Sequence, residues 1–134
     1  AVRIMLAEDS KGTRKVLSFI LKRHGYEVIQ AIDGEEALEK IRSEKPDLIV
    51  LDIAMPKRNG FSVCKEVRSN RETRDIPVIM LTARSSAKEK SYGLSLGAVE
   101  YMTKPFKLEE LLARIASVLR QSHQQEAANT ESSA

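Results

Sequence analysis

The run Asp47-Leu48-Ile49-Val50-Leu51, followed further along by Pro77-Val78-Ile79-Met80-Leu81, decides the architecture of this chain. Both stretches are short, nearly continuous in apolar residues and rich in β-branched ones, as central strands covered on both faces are. Working outward, Val2-Arg3-Ile4-Met5-Leu6 and Glu27-Val28-Ile29-Gln30-Ala31 are runs of the same kind, and the weaker Ala98 to Met102 suits an edge strand. Between the runs the spacing turns helical: Val16, Leu17, Ile20 and Leu21, then Leu108, Leu111, Leu112, Ile115, Val118 and Leu119, recur at threes and fours. Asp33 with Glu36 and Ser86 with Glu89 have the spacing of capping boxes, and Gly25, Asn59-Gly60 and Gly97 fall where turns are needed. Five strands alternating with five helices predict a parallel sheet between helical layers. Right-handed crossovers narrow this to an open, doubly wound α/β sheet.

At 134 residues and 42% hydrophobic, the chain has enough apolar material for one core and one domain, set at residues 2–120. Residues 121–134 lose the apolar period and read as a polar tail or linker, frayed and then disordered. Twenty-two Lys and Arg against 19 Asp and Glu leave a small, dispersed positive surplus, not the clustered basic face of a nucleic-acid binder. Six aromatics and no Trp also argue against a base-stacking platform. The lone Cys64, at helical spacing from Phe61 and Val67, excludes an internal disulfide framework and reads as a buried hydrophobe. No stretch resembles a membrane span or a signal peptide, so no membrane association and a cytoplasmic location are expected. His24 reads as a helix-end residue and His123 as part of the tail, while Arg68 to Arg74 reads as a solvated loop.

In an open parallel sheet, ligands bind outside the carboxyl ends of the strands. Glu8 and Asp9 follow the first strand, Asp52 the third, Thr82 the fourth and Lys104-Pro105 the fifth. The fold therefore gathers three carboxylates, a hydroxyl and an ammonium on one rim. Three carboxylates so placed repel one another, and a hard divalent cation such as Mg2+ relieves that conflict. A metal, a lysine and a free carboxylate oxygen suit phosphoryl transfer, with Asp52 as nucleophile and an acyl phosphate as product. Each residue taken singly has a plainer use: Asp9 as a helix cap, Asp52 as a turn residue, Thr82 as a loop cap, Lys104 as a solvated charge. Their coincidence on one rim favours the chemical reading.

Four blocks then carry a resemblance: Glu8-Asp9; Leu51-Asp52-Ile53-Ala54-Met55-Pro56 with Asn59-Gly60; Thr82-Ala83; and Tyr101-Met102-Thr103-Lys104-Pro105-Phe106. In order and spacing they resemble the receiver domains of two-component response regulators, over about residues 2 to 120. The resemblance implies a flavodoxin-like, five-stranded sheet of order 2-1-3-4-5 with five helices. It implies Asp52 as phosphoacceptor, Mg2+ held by Asp9, Glu8, Asp52 and the Ala54 carbonyl, and Lys104 against the phosphoryl group. Thr82 and Tyr101 correspond to the switch pair, and Lys104-Pro105 to a cis peptide. Ala54 and Arg84 occupy the two positions that flank the phosphoryl and tune its loss. Lys107 stands where a capping Ser or Asp is common, and Val99-Glu100 replaces an acidic pair associated with dimerising regulators.

The implied function is a phosphorylation-operated signalling switch, not an enzyme of independent turnover. Its expected partners are a histidine kinase or phosphotransfer protein upstream and a protein target or a missing output domain downstream, with no direct nucleic-acid binding by this chain. Lys88, Lys90, Tyr101 and Arg114 are the residues expected to meet a downstream partner. A stand-alone regulator and the receiver part of a longer one both remain open, the former preferred. The alternative is a Mg2+-dependent aspartyl-phosphate phosphatase, for which Ala54 is a poor fit because it offers no proton to a leaving group. A flavin module of the same topology is weaker still, since Glu8-Asp9 replaces a phosphate-cradling loop.

Overall fold

The apolar runs pair side by side in one parallel sheet. Its strands are β1 (Arg3–Ala7), β2 (Glu27–Ala31), β3 (Leu48–Leu51), β4 (Val78–Thr82) and β5 (Glu100–Thr103). They lie in the order β2-β1-β3-β4-β5, as the receiver-like reading implied. The computed structural model describes the backbone of residues 1–132 and the side chains of residues 1–123. Every residue of β3 and β4 is buried, whereas β2 at one edge is partly exposed along most of its length. The most apolar segments thus occupy the centre, where both faces are covered. β5 starts at Glu100, slightly later than the expected Ala98, because Ala98 N–H first closes the preceding helix on the Gly93 carbonyl.

The helices are α1 (Lys11–Arg23), α2 (Gly34–Glu44), α3 (Gly60–Ser69), α4 (Ala87–Ser95) and α5 (Leu108–Ser132). Strand alternation sends Ile4, Leu6, Val50 and Ile79 to one face, where they meet Leu17 and Leu21 of α1 and Leu111, Ile115 and Val118 of α5. Met5, Ile49, Leu51 and Met80 face the other way, against Leu38 and Ile41 of α2 and Val63, Cys64 and Val67 of α3. Burial of each such aliphatic side chain stabilises the fold by about 1.5–3 kcal/mol.

Caps begin most of the helices. Asp33 accepts from the Glu36 N–H and Ser86 from the Glu89 N–H, at the positions where capping boxes were expected. Ser10, not Asp9, caps α1, so the plainer use of Asp9 falls away. The carbonyl of Lys107 accepts the first bonds of α5, with Glu109 and Glu110 supplying negative charge to its first turn. That helix runs on to Ser132, past the boundary expected near Arg120. Gln, Glu and Ala are good helix formers, so the backbone can stay helical where the apolar stripe has stopped. Residues 133–134 of the expected tail lie outside the described residues. No helix among the described residues is long and apolar enough to cross a membrane.

Candidate functional site

Backbone ladders deliver the rim residues to one place. Glu8 N–H bonds the Ala31 carbonyl, Asp52 N–H the Ala7 carbonyl and Lys104 N–H the Thr82 carbonyl, so each residue is fixed by the strand beside it. One carboxylate oxygen from each of Glu8, Asp9 and Asp52 lies within 4.8 Å of the other two. Glu8 and Asp52 are buried, and Asp9 stands exposed at the mouth. This all-oxygen set, open on one side, could hold a hard divalent cation.

The Lys104 ammonium closes the pocket, donating to Glu8 Oε1 and to Asp52 Oδ2, the latter at 3.1 Å. The Lys104–Pro105 peptide is cis. Burial raises the Glu8 pKa, the Lys104 bond works against that, and the negative charge of Asp52 adds to it; the net direction is upward. For Lys104, burial pulls downward, but the bonds to Glu8 and Asp52 prevail and the ammonium is held above its ordinary range. The pocket therefore keeps its lysine charged and strains the ionisation of its most buried acid. Asp52 Oδ1 accepts from the Ala54 N–H at 3.2 Å, and Ala54 itself is exposed.

Thr82 ends β4 and is wholly buried; its Oγ1 accepts from the Arg84 N–H at 3.3 Å. Tyr101 already stands inward: it is 7% exposed and its hydroxyl donates to the Arg84 carbonyl at 2.7 Å. Gly93 of α4 makes the room, since a Cβ there would stand 3.0 Å from the Tyr101 ring. Arg84 is turned to Glu89, with Nη1 3.0 Å from Oε2. The structure thus gathers Glu8, Asp9, Asp52 and Lys104 into one cluster, and links Thr82, Arg84 and Tyr101 into a second, adjoining one.

One tie across the fold escaped the sequence. Arg68, read as part of a solvated loop, donates to the carbonyls of Gly97, Arg74 and Ile76, tying α3 to the turn before β5. Bonds to main-chain carbonyls leave no mark on side-chain pattern. Among the expected partner-sensing residues, Arg114 already pairs with Glu100 and Glu110. A groove of about 680 Å³ beside it is lined by Lys90, Tyr101, Phe106 and Lys107.

The family model of the response regulator receiver domain matches residues 4–116. The chain belongs to that family. Receiver domains are phosphorylation-dependent signalling switches of two-component systems. This receiver domain is 47% identical over 120 residues to the alkaline phosphatase synthesis transcriptional regulatory protein PhoP of Bacillus subtilis. The match covers 90% of this chain and 49% of PhoP, so the chain spans about half the length of that relative. Among solved structures, the Vibrio cholerae chemotaxis protein CheY4 is 36% identical, with a TM-score of 0.82 over 87% of this chain and 98% of that one. The non-phosphorylated HemR receiver domain of Leptospira biflexa is also 36% identical, with a TM-score of 0.82 over 89% and 94%.

Proposed function

We propose that this receiver domain takes a phosphoryl group onto Asp52 from a histidine kinase or phosphotransfer protein and signals through the face formed by α4, β5 and α5. The observation that carries the reading is the Asp52 carboxylate, with Lys104 Nζ on one oxygen at 3.1 Å and the acids Glu8 and Asp9 alongside. The unshared lone pairs of Asp52 attack phosphorus in line, the P–O bond forms, and the donor's P–N bond breaks as its nitrogen takes up a proton. Lys104 follows the incoming phosphoryl oxygens and offsets their charge. Asp9 and Asp52, the Ala54 carbonyl, and Glu8 through water would hold Mg2+, which when bound neutralises charge on the phosphoryl oxygens.

Thr82 then moves its hydroxyl toward the phosphoryl group and carries the Arg84 backbone with it. With Tyr101 already inward, phosphorylation stabilises an existing packing of α4 against β5 rather than creating one, a shift of populations limited by the phosphoryl's differential affinity for the two states. Ala54 and Arg84 hold the two chain positions from which side chains can reach the phosphoryl, and they govern its lifetime. Ala54 orients no water, and Arg84 stays protonated and cannot act as a base. The reading is of a slow self-dephosphorylating switch without independent turnover. The phosphatase alternative fails at Ala54, which has no acidic proton. Downstream, the partner is a protein target or an output domain of the same regulator; the location is the cytoplasm.

The deciding experiment is incubation with Mg2+ and acetyl phosphate or phosphoramidate, followed by intact mass. One phosphoryl group per chain is expected, with none on Asp52→Asn. Uptake by Asp52→Asn at the unaltered rate, or sustained hydrolysis of phosphate esters, overturns the assignment.

A further inference from the structure

Arg84 holds contacts that phosphorylation of Asp52 does not by itself require. Its guanidinium Nη1 donates to Glu89 Oε2 at 3.0 Å, while Glu89 Oε1 accepts from the Ser86 hydroxyl at 2.9 Å. Ser86 Oγ in turn accepts from the Glu89 N–H at 3.1 Å. Both carboxylate oxygens are therefore occupied, and the acid is fixed on the first turn of α4. The bond from Arg84, and after it the one from Ser86, hold the Glu89 carboxyl below its ordinary pKa, so it stays charged at neutral pH. Arg84 itself belongs to the short connection between β4 and α4, two residues past Thr82, and its side chain is 53% exposed.

We infer that Glu89 is a positioning residue that holds the Arg84 guanidinium away from the phosphoryl group on Asp52, so that this pair sets the lifetime of the aspartyl phosphate. A phosphoryl group on Asp52 brings a second anion to compete for the same cation, and a guanidinium binds phosphoryl oxygens as readily as carboxylate ones. Loss of the signal is hydrolysis. Water oxygen attacks phosphorus in line, the P–O bond to Asp52 breaks, its electron pair returns to the carboxylate, and the water gives up a proton to solvent as phosphate leaves. With Arg84 kept by Glu89, the water's approach is open, and hydrolysis is slow only because Ala54 offers no group to orient that water. With Arg84 released, its planar head lies over the phosphoryl oxygens and covers that approach. The same loop also feeds the output face, since Arg84 bonds Thr82 through its N–H and Tyr101 through its carbonyl.

The inference rests on Asp52 being the phosphoacceptor, and the experiment separates the two. Phosphoryl uptake is measured first, in Mg2+ with acetyl phosphate; the donor is then removed and decay is followed by intact mass. Glu89→Gln retains the backbone cap but loses the charge, and decay should slow by about threefold, within what an exposed ion pair can contribute. Glu89→Asp, one methylene too short to reach Arg84, should slow it similarly and stands in if the first variant folds poorly. In an Arg84→Gln background, Glu89→Gln should have no effect on decay, which a general loosening of α4 would not reproduce. No uptake by the unaltered protein overturns both readings. Normal uptake with decay unchanged in both Glu89 variants, or an effect that persists without Arg84, overturns this inference alone.

Discussion

Lys104 shares one ammonium between two buried carboxylates, Glu8 at 3% exposure and Asp52 at 8%, while itself remaining 24% exposed. Removing one partner of such a cluster costs more than the cluster contributes, because the charges left behind have lost both water and counterion. Lys104→Met should therefore destabilise the metal-free protein at neutral pH by about 3 kcal/mol, the low end of the range for buried pairs. Urea unfolding in the presence of a chelator measures it. The sign with pH follows from Glu8, whose carboxyl is already raised from the ordinary 4.5 by burial and rises further without the lysine. A raised acid favours the fold at low pH and loses that advantage as pH climbs through its folded value. The gap between the two proteins should widen from about pH 4.5 toward neutrality; a gap independent of pH would show that Lys104 acts by packing alone. The acids and this lysine were legible in the sequence because each directly follows a strand, where backbone geometry leaves little freedom. Arg84 was legible only as a position. Nothing in the order of residues says that it bonds Glu89, because a long side chain on a connecting loop chooses its partner after the helix beside it has formed.

Elements meet at the site through backbone, not only through side chains. A Cβ at Gly60 would come within 2.3 Å of the Asp52 carbonyl oxygen and 2.8 Å of Ile53 Cα, so α3 begins hard against the end of β3. Neither obstacle is a flexible side chain. Gly60→Ala should lower stability by about 1–3 kcal/mol, the cost of overpacking, and slow phosphorylation by displacing Asp52. Gly12→Ala makes the matching control: on α1 a Cβ meets nothing within 4 Å, and helix propensity should stabilise the fold by about 0.5–1 kcal/mol with phosphorylation unchanged. Normal phosphorylation in folded Gly60→Ala would mean that α3 does not locate the acceptor. The strands, most helix starts and the side each element packs on could be read from period and caps. The length of α5 could not, because helix formers continue beyond the last apolar residue and the pattern registers packing, not backbone conformation.

At the scale of the whole molecule, the second cluster joins the rim to the α4 and β5 face by two bonds to Arg84, one from its own N–H to Thr82 and one from the Tyr101 hydroxyl. Addition of Mg2+ and a beryllofluoride mimic of the phosphoryl group should therefore shift amide resonances over residues 82 to 104, well beyond the acidic pocket. Shifts confined to the neighbours of Glu8, Asp9 and Asp52 would leave a phosphate store and no switch. The sheet order has one more consequence. Glu8 and Lys104 are 96 residues apart in the chain, and β1 lies in the sheet between β2 and β3, with β3 and β4 separating it from β5. On a ribosome the acids emerge early, but the lysine that completes their pocket comes out only after the other strands have been made. A half-synthesised chain thus carries Asp52 without the lysine and the outer strands that complete its pocket, and the message waits for the messenger to be finished.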